Sequence, residues 1–180
     1  MNTRIRLHDL EFEPYLSEND IQTRVRQLGA TLSEQYVGRN PLFISILSGA
    51  FMFAADLIRH FEGDCEIAFV KLRSYAGTQS SGQVQSIIGL EMDLAGRPIV
   101  IVEDIVDTGR TLHFFMEQLR LEQPESVKVV TLLHKPEAST FPVPLDLVGF
   151  EIENKFVVGY GLDYEGLGRN LPAIYQLANT

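Results

Sequence analysis

The segment from Ile99 to Leu112, IVIVEDIVDTGRTL, joins an uninterrupted apolar run to three carboxylates. Its first four residues are all β-branched, which is typical of a strand that is buried on both faces. Glu103 and Asp104 follow directly, and Asp107 comes just before a Thr-Gly-Arg-Thr turn. A carboxylate at the end of a buried strand is costly unless it is paired, solvated or bound to a metal. The segment therefore predicts a central strand whose carboxyl end carries a functional site.

Apolar segments and helical patterns alternate through most of the chain. The first helical pattern follows a capping residue, Ser17 or Asn19, and ends near Gly38. Further helices are predicted at 51–61 and 111–121, a polar loop at 73–83, and strands at 41–47, 65–72, 84–92 and 126–133. This alternation predicts an α/β fold with a mostly parallel, doubly wound sheet flanked by helices, in a single domain over residues 1–180. Such a fold binds ligands at the carboxyl ends of its strands, where the acidic turn lies.

Charge and composition restrict the class of protein. The 180 residues carry a net charge of −9, which argues against a nucleic-acid partner bound through a basic face. A phosphorylated small molecule remains compatible with that charge, because Mg²⁺ held by carboxylates can bridge two anions. Cys65 is the single cysteine, so no intrachain disulfide can form, and the amino-terminal residues lack the apolar core of a signal peptide. No segment is apolar enough to span a membrane, and we expect a cytoplasmic protein.

The Thr-Gly-Arg-Thr turn has the chemistry of an anion site. Thr108 and Thr111 supply hydroxyls, and the helix predicted to follow supplies free N–H groups at its N-terminus. Glu103 and Asp104 are adjacent on an extended strand, so their side chains should face opposite sides of the sheet. Acids beside a phosphate cradle suit a phosphorylated sugar, whose hydroxyls or metal the carboxylates would bind. Each piece alone could be a solvated turn or a helix cap, so the combination carries the prediction.

The segment VIVEDIVDTGRTL closely resembles the phosphoribosyl pyrophosphate signature of the type I phosphoribosyltransferases. Four further segments are similar to those of the hypoxanthine (hypoxanthine–guanine) phosphoribosyltransferases: LSGAFMFAADL, KLRSYAGTQSSG, LLHKP and VGFEIENKFVVGYGLDY. The resemblance implies a type I phosphoribosyltransferase fold with a small hood built from the chain ends. It also implies purine salvage by a Mg²⁺-dependent dimer or tetramer, which transfers the phosphoribosyl group of phosphoribosyl pyrophosphate to a 6-oxopurine.

The same resemblance implies a role for each residue at the phosphoribosyl end. Glu103 and Asp104 would bind the ribose hydroxyls, directly or through Mg²⁺. Asp107 would be the general base beside the imidazole-ring nitrogen that attacks the sugar. The 5′-phosphate would be held by Thr108, Gly109, Arg110 and Thr111.

Leu47, Ser48 and Gly49 match the pyrophosphate loop of the family, which often contains a non-proline cis peptide. Ser48 stands where the family often has Lys or Arg, so we expect that charge to be missing or supplied from elsewhere. The candidates are Lys71, Arg73 and Arg169, of which Arg169 matches a family pyrophosphate ligand. Ser74 and Tyr75 match the mobile loop, whose closure would keep water from an oxocarbenium-like transition state.

At the purine end, the resemblance implies that Ile105 packs on one face of the base, Phe156 stacks on it and Val157 gives backbone contacts. Lys135 would donate to the oxygen at the six-position and so select against adenine, whose amine would meet a donor with a donor. Asp163 would help to hold a second Mg²⁺ through water. Without the resemblance, Phe156 and Val157 would be assigned to the core and Lys135 to the surface. Lys135 does not separate hypoxanthine, guanine and xanthine, which share the six-oxo group.

Two other classes of protein stay open at this point. A regulator could keep the phosphoribosyl pyrophosphate site as a sensor, although the net charge of −9 and the single domain argue against the usual nucleic-acid partner. A Mg²⁺-dependent phosphotransfer or receiver-like domain could also end a strand in acid, but it leaves DTGRT and KFVVGYGLDY unexplained. The chain has no GxxxxGK[ST], HExxH or CxxC motif, which argues against a P-loop enzyme and the corresponding metal sites.

Overall fold

The computed structural model of the protein describes residues 3–74, 84–88 and 92–178. Within these ranges, ten strands form two sheets. The strands are β1 (Ile5–Leu7), β2 (Leu10–Leu16), β3 (Leu42–Leu47), β4 (Glu66–Ser74), β5 (Val84–Ile88), β6 (Pro98–Val106), β7 (Ser126–His134), β8 (Leu147–Glu151), β9 (Val157–Val158) and β10 (Ile174–Leu177). The helices are α1 (Glu18–Gln35), α2 (Phe51–Arg59), α3 (Arg110–Leu121) and a short 3₁₀ helix at Pro136–Ala138.

The larger sheet has the strand order β5-β4-β3-β6-β7-β8. Strands β4, β3, β6, β7 and β8 run parallel, whereas β5 pairs antiparallel with β4 at the edge. The predicted α/β fold with a mostly parallel sheet is therefore confirmed. The carboxyl ends of the parallel strands meet at one edge of the sheet, and the acidic turn follows β6 at that edge.

Helices cover both faces of the larger sheet and form two hydrophobic cores. One core contains residues of α1 and α2 together with Val100 and Val102 of β6. The other contains residues of α3 together with Ile99 and Ile101. All four β6 side chains are fully buried, which accounts for the uninterrupted run of β-branched residues in this strand.

The helices begin close to the predicted positions. The Ser17 hydroxyl caps α1 by accepting a hydrogen bond of 3.1 Å from the Asp20 N–H. The buried residues of α1 recur at helical spacing: Ile21, Val25, Leu28, Gly29 and Leu32. α3 begins at Arg110, one residue earlier than predicted, directly after Gly109.

The smaller sheet is antiparallel, with the order β1-β2-β10-β9, and is built from both ends of the chain. It corresponds to the hood that the family resemblance implied. Strand β9 of this sheet begins at Val157, which the sequence predicts as a purine contact.

The first two residues of the loop predicted at 73–83 lie in a strand. Arg73 and Ser74 belong to β4, because they still pair with Gln85 and Val84 of β5. Tyr75 and the rest of the predicted mobile loop lie outside the described residues, as do residues 89–91 of the strand predicted at 84–92. Among the described residues, none of the helices has both the length and the apolar character needed to cross a membrane.

Candidate active site

Glu103 and Asp104, at the end of β6, line different clefts, but their carboxyl groups also hydrogen-bond to each other, so the strand does not separate them as alternation predicts. Asp104 lines a cleft of about 310 Å³, which we call the larger cleft. Glu103 lines a cleft of about 140 Å³ at the start of α3, which we call the smaller cleft. Ile105 and Asp107 line both. The two clefts therefore meet at the end of β6, beside Asp107.

Glu103 and Asp104 are buried together, and their carboxyl groups hydrogen-bond to each other. Burial raises the pKa of Glu103 well above its ordinary range, and the neighbouring Asp104 raises it further. Burial also raises the pKa of Asp104 to about 6, against the effects of a 2.9 Å hydrogen bond from the Ile105 N–H and the charge of Arg169. Oε2 of Glu103 is buried without a hydrogen-bond partner among the described residues. Sugar hydroxyls or a cation would supply what this pair lacks.

Asp104→Asn is expected to stabilise the metal-free protein at neutral pH. The folded pKa of Asp104 is about 6 against an ordinary value of 3.8, so the folded state binds the proton more tightly and stability falls as the pH rises through this window. Asn stays neutral and avoids this loss, which is about 2 to 3 kcal/mol. Thermal unfolding in a chelator should give the variant a higher Tm at about pH 8, with the difference narrowing towards about pH 4. If Asp104→Asn melts no higher than the wild type at about pH 8, burial does not raise the pKa of Asp104 as described.

The carboxylate of Asp104 explains why residue 49 is glycine. A Cβ on Gly49 would lie 1.6 Å from Oδ2 of Asp104. Gly49→Ala is therefore expected to lower the free energy of unfolding by about 1 to 3 kcal/mol, as overpacking does. Denaturant unfolding in a double-mutant cycle with Asp104→Ala tests the cause, because the loss should shrink once the carboxylate is gone. An equal loss in both backgrounds would mean that the clash lies elsewhere.

The loop after β3 has the feature that the family resemblance implied. The peptide bond between Leu47 and Ser48 is cis. Ser48 is exposed, and Lys71 of the neighbouring strand lies in register with Leu47 and is exposed as well. Lys71 therefore lies beside a loop that has no basic residue of its own. It stays a candidate for contact with pyrophosphate.

The turn after β6 has the local structure of an anion site. Gly109 has a left-handed φ of 76°, a conformation that favours glycine. The Thr108 hydroxyl accepts a hydrogen bond of 3.3 Å from the Arg110 N–H, at the first residue of α3. Residues 108–112 line the smaller cleft together with Glu103. The unpaired N–H groups of a helix N-terminus are therefore available beside this cleft, as the sequence predicts.

Lys135 forms an ion pair with Asp107. Its Nζ lies 3.2 Å from Oδ2 of Asp107, and its side chain is only 8% exposed against 49% for Asp107. Strand register explains the contact, because Val106 of β6 pairs with His134 of β7 and the next residues leave the sheet side by side. Lys135 is thus buried in the site and is not the surface lysine that its residue type alone suggests. The sequence does not predict this pairing, because it depends on the register of two neighbouring strands, which no local pattern reveals.

Phe156 offers an aromatic surface to the larger cleft. Its ring centroid lies 5.9 Å from that of Phe12 and 5.7 Å from that of Tyr164, yet Phe156 remains 42% exposed. An aromatic ring that is anchored in this way and still open to the cleft can stack on a planar ligand. Val157 is buried beside it, and Leu162, which the sequence did not single out, also lines the cleft.

Asp163 and Arg169 are joined to each other in the larger cleft. Nη2 of Arg169 lies 2.7 Å from Oδ1 of Asp163, and Nη1 donates to the Gly161 carbonyl at 2.6 Å. Oδ2 of Asp163 accepts a hydrogen bond of 2.7 Å from the Gly166 N–H. Because both carboxylate oxygens already have partners, Asp163 is better suited to holding a metal through water than to direct ligation.

The acid pair fits a metal that arrives with its substrate. Within the ranges that the structure covers, no group of three or more His, Cys, Asp or Glu side chains is placed to hold a metal. Mg²⁺ does not require such a group, since it usually keeps several waters and is bound by one or two carboxylates plus substrate phosphates. The unpartnered Oε2 of Glu103 and the buried carboxylate of Asp104 supply that kind of ligand.

Comparison with known proteins shows which family the chain belongs to. A family model described as a phosphoribosyl transferase domain matches residues 14–165, which include all of the predicted site residues except Arg169. The chain therefore belongs to the phosphoribosyltransferases.

Individual relatives narrow this class. The hypoxanthine-guanine phosphoribosyltransferase of Bacillus subtilis is 45% identical over 168 residues, which is 93% of each chain. A solved hypoxanthine phosphoribosyltransferase from Staphylococcus aureus has a TM-score of 0.88 and 41% identity, covering 92% of this chain and 91% of its own. A solved hypoxanthine-guanine phosphoribosyltransferase from Bacillus anthracis has a TM-score of 0.86 and 36% identity, covering 92% and 96%. Within its family the chain falls in the hypoxanthine–guanine phosphoribosyltransferase group, which confirms the resemblance seen in the sequence.

Proposed function

We propose that this chain is a purine-salvage enzyme that transfers the phosphoribosyl group of phosphoribosyl pyrophosphate to hypoxanthine and also to guanine. The products would be IMP or GMP and pyrophosphate. The observation that carries the proposal is the position of Asp107 where the two clefts meet. A nucleotide with its 5′-phosphate in the smaller cleft and its base in the larger cleft would have its glycosidic bond beside this carboxylate.

The larger cleft supplies the groups that a 6-oxopurine needs. Phe156 stacks on the base, Ile105 packs on it, and the backbone of Val157 contacts its edge. Lys135 donates to the oxygen at the six-position, and its ammonium group has three donors, so it can keep its contact with Asp107. Adenine would place an amine against this donor and lose the interaction.

The transfer breaks one bond at the sugar and makes another. The bond from C1′ to the pyrophosphate oxygen breaks while an imidazole-ring nitrogen of the purine forms its bond to C1′. That nitrogen gives up its proton to Asp107, whose half-exposed carboxylate acts as the general base.

The remaining residues of the site bind and orient the donor. Glu103 and Asp104 bind the ribose hydroxyls, residues 108–111 bind the 5′-phosphate, and Arg169 binds the departing pyrophosphate. Glu103 and Asp104 would hold one Mg²⁺ and Asp163 would help to hold a second through water, and the metal would neutralise charge on the leaving group.

Product analysis tests this function directly. The protein is incubated with phosphoribosyl pyrophosphate, Mg²⁺ and hypoxanthine, and IMP and pyrophosphate are separated by chromatography. The two products should appear in equal amounts and only when all three components are present. A protein that binds phosphoribosyl pyrophosphate at saturation but forms no IMP would instead be a sensor.

We also propose that the protein is a homo-oligomer, a dimer or a tetramer, with a second copy of the chain covering β4. Ile67 and Phe69 lie two residues apart on the same face of this strand, and they remain 41% and 43% exposed. Light scattering should give two or four times the 20.2 kDa chain mass, and Phe69→Lys should shift the population towards monomer. A wild-type protein that is monomeric at tens of micromolar would contradict this proposal.

A further inference from the structure

The segment Thr140–Pro142, in the connection between β7 and β8, lies directly against the turn that follows β6. The Thr108 carbonyl accepts two backbone hydrogen bonds from this segment, of 3.1 Å from the Thr140 N–H and 3.0 Å from the Phe141 N–H. A Cβ on Gly109 would lie 2.9 Å from the Phe141 carbonyl oxygen, so only glycine permits so close an approach. None of the roles assigned above uses these contacts.

The contact determines how the turn presents its N–H groups. The carbonyl of Thr108 and the N–H of Gly109 belong to one peptide unit and point in opposite directions. Because the segment Thr140–Pro142 holds the carbonyl, it turns the Gly109 N–H away from itself. Gly109 also lines the smaller cleft. The orientation of an anion-binding turn is therefore set by a segment outside the cleft.

His113 connects the same segment to α3. Its Nδ1 lies 3.0 Å from the Pro142 carbonyl oxygen and must be the donor, since a carbonyl can only accept. Its backbone N–H donates to the Gly109 carbonyl at 2.9 Å, within the first turn of the helix. The His113 ring also packs against Phe141, with 5.7 Å between ring centroids, and the Arg110 guanidinium lies 6.0 Å from the Phe141 ring. One half-buried histidine thus touches both the phosphate turn and its support.

We propose that His113 and Phe141 are positioning residues for the 5′-phosphate. They hold the segment Thr140–Pro142 against the turn and so keep its N–H groups aimed at the smaller cleft. The inference rests on the proposed function, which assigns the phosphate of the nucleotide to this turn. Neither side chain lines the smaller cleft, so both act through the backbone of Thr108 and Gly109.

Two substitutions at His113 separate this role from a general loss of structure. His113→Asn keeps an amide donor near the position of Nδ1, whereas His113→Leu removes the donor. His113→Leu is expected to weaken IMP binding and to raise the KM for phosphoribosyl pyrophosphate about threefold to tenfold, with kcat within about twofold. His113→Asn should recover most of this loss. Calorimetry should show that magnesium pyrophosphate binds both variants as tightly as it binds the wild type. In the proposed function this ligand lies at the loop after β3, away from His113.

Three outcomes would overturn the proposal: Asn no better than Leu, an equal loss of IMP and pyrophosphate affinity, or a fall in kcat alone. Phe141→Leu should likewise weaken IMP binding while leaving pyrophosphate binding and kcat unchanged. It takes the place of His113→Leu if the His113→Leu protein does not fold. Thr111→Val tests phosphate binding by the turn separately from its positioning by His113. If Thr111→Val weakens IMP binding and His113→Leu does not, the turn holds the phosphate and His113 has no positioning role. If neither variant does, the phosphate lies elsewhere and the proposed site is wrong.

Discussion

Asp107→Asn is expected to lower kcat roughly 10²- to 10⁴-fold, the range that a general base contributes, while phosphoribosyl pyrophosphate still binds. The amide keeps the size of the carboxylate and can still accept a hydrogen bond from Lys135, but it cannot take a proton from the purine. The carboxylate is half-exposed where the two clefts meet, so the substitution should leave the fold intact. Single-turnover measurements with a saturating donor would isolate the chemical step from binding.

Asp64→Asn provides a matched control, because Asp64 is exposed in the connection between α2 and β4. This variant should retain wild-type kcat. Near-normal turnover by Asp107→Asn would rule out the general-base role. A loss of donor binding as large as the loss of turnover would instead give Asp107 a role in holding the sugar.

Lys135→Met is expected to reduce kcat/KM for hypoxanthine and guanine roughly 10- to 100-fold, because a charge-assisted hydrogen bond to the base contributes about 1.5 to 3 kcal/mol. Met fills a similar volume without a donor, so the buried position is not left empty. The discrimination against adenine should narrow at the same time, since the donor that opposes its amine is gone. Steady-state assays with each base measure both effects.

Lys128→Met is the matched control, since Lys128 lies near the start of β7, the strand that ends just before Lys135, and donates to Gln35. It should leave base preference unchanged. If Lys135→Met kept the wild-type ratio of hypoxanthine to adenine turnover, recognition of the six-oxo group would have to come from the backbone of the hood.

The end of β6 could be predicted from sequence in some detail, because its pattern follows from local rules. Burial on both faces of the sheet is enough to explain the β-branched run that leads into Glu103 and Asp104. The turn proposed to bind the 5′-phosphate follows from similar reasoning, since Thr108 and Gly109 precede an amphipathic helix. In each case the physical cause lies within a few residues of the feature.

The contacts between distant segments could not be predicted in the same way. The ion pair between Lys135 and Asp107 depends on the register of β6 against β7, and no local pattern marks it. The clash that requires Gly49 depends on how closely one loop approaches the Asp104 carboxylate. The predicted purine contacts depend on family resemblance alone, because an apolar residue such as Phe156 looks like core until its 42% exposure is known. Each of these features depends on how the hood and the loops pack on the sheet, which local sequence patterns do not reveal.

The proposed transfer to a 6-oxopurine is tested most directly by a steady-state assay with phosphoribosyl pyrophosphate and Mg²⁺ in which hypoxanthine, guanine, xanthine and adenine are offered in turn. Hypoxanthine and guanine should be turned over and adenine should be inert, because Lys135 is expected to donate to the oxygen at the six-position. Comparable turnover of adenine would contradict the role of Lys135. No turnover of any base by a protein that still binds the donor would contradict the enzyme itself, and Ser48 would be the first residue to investigate.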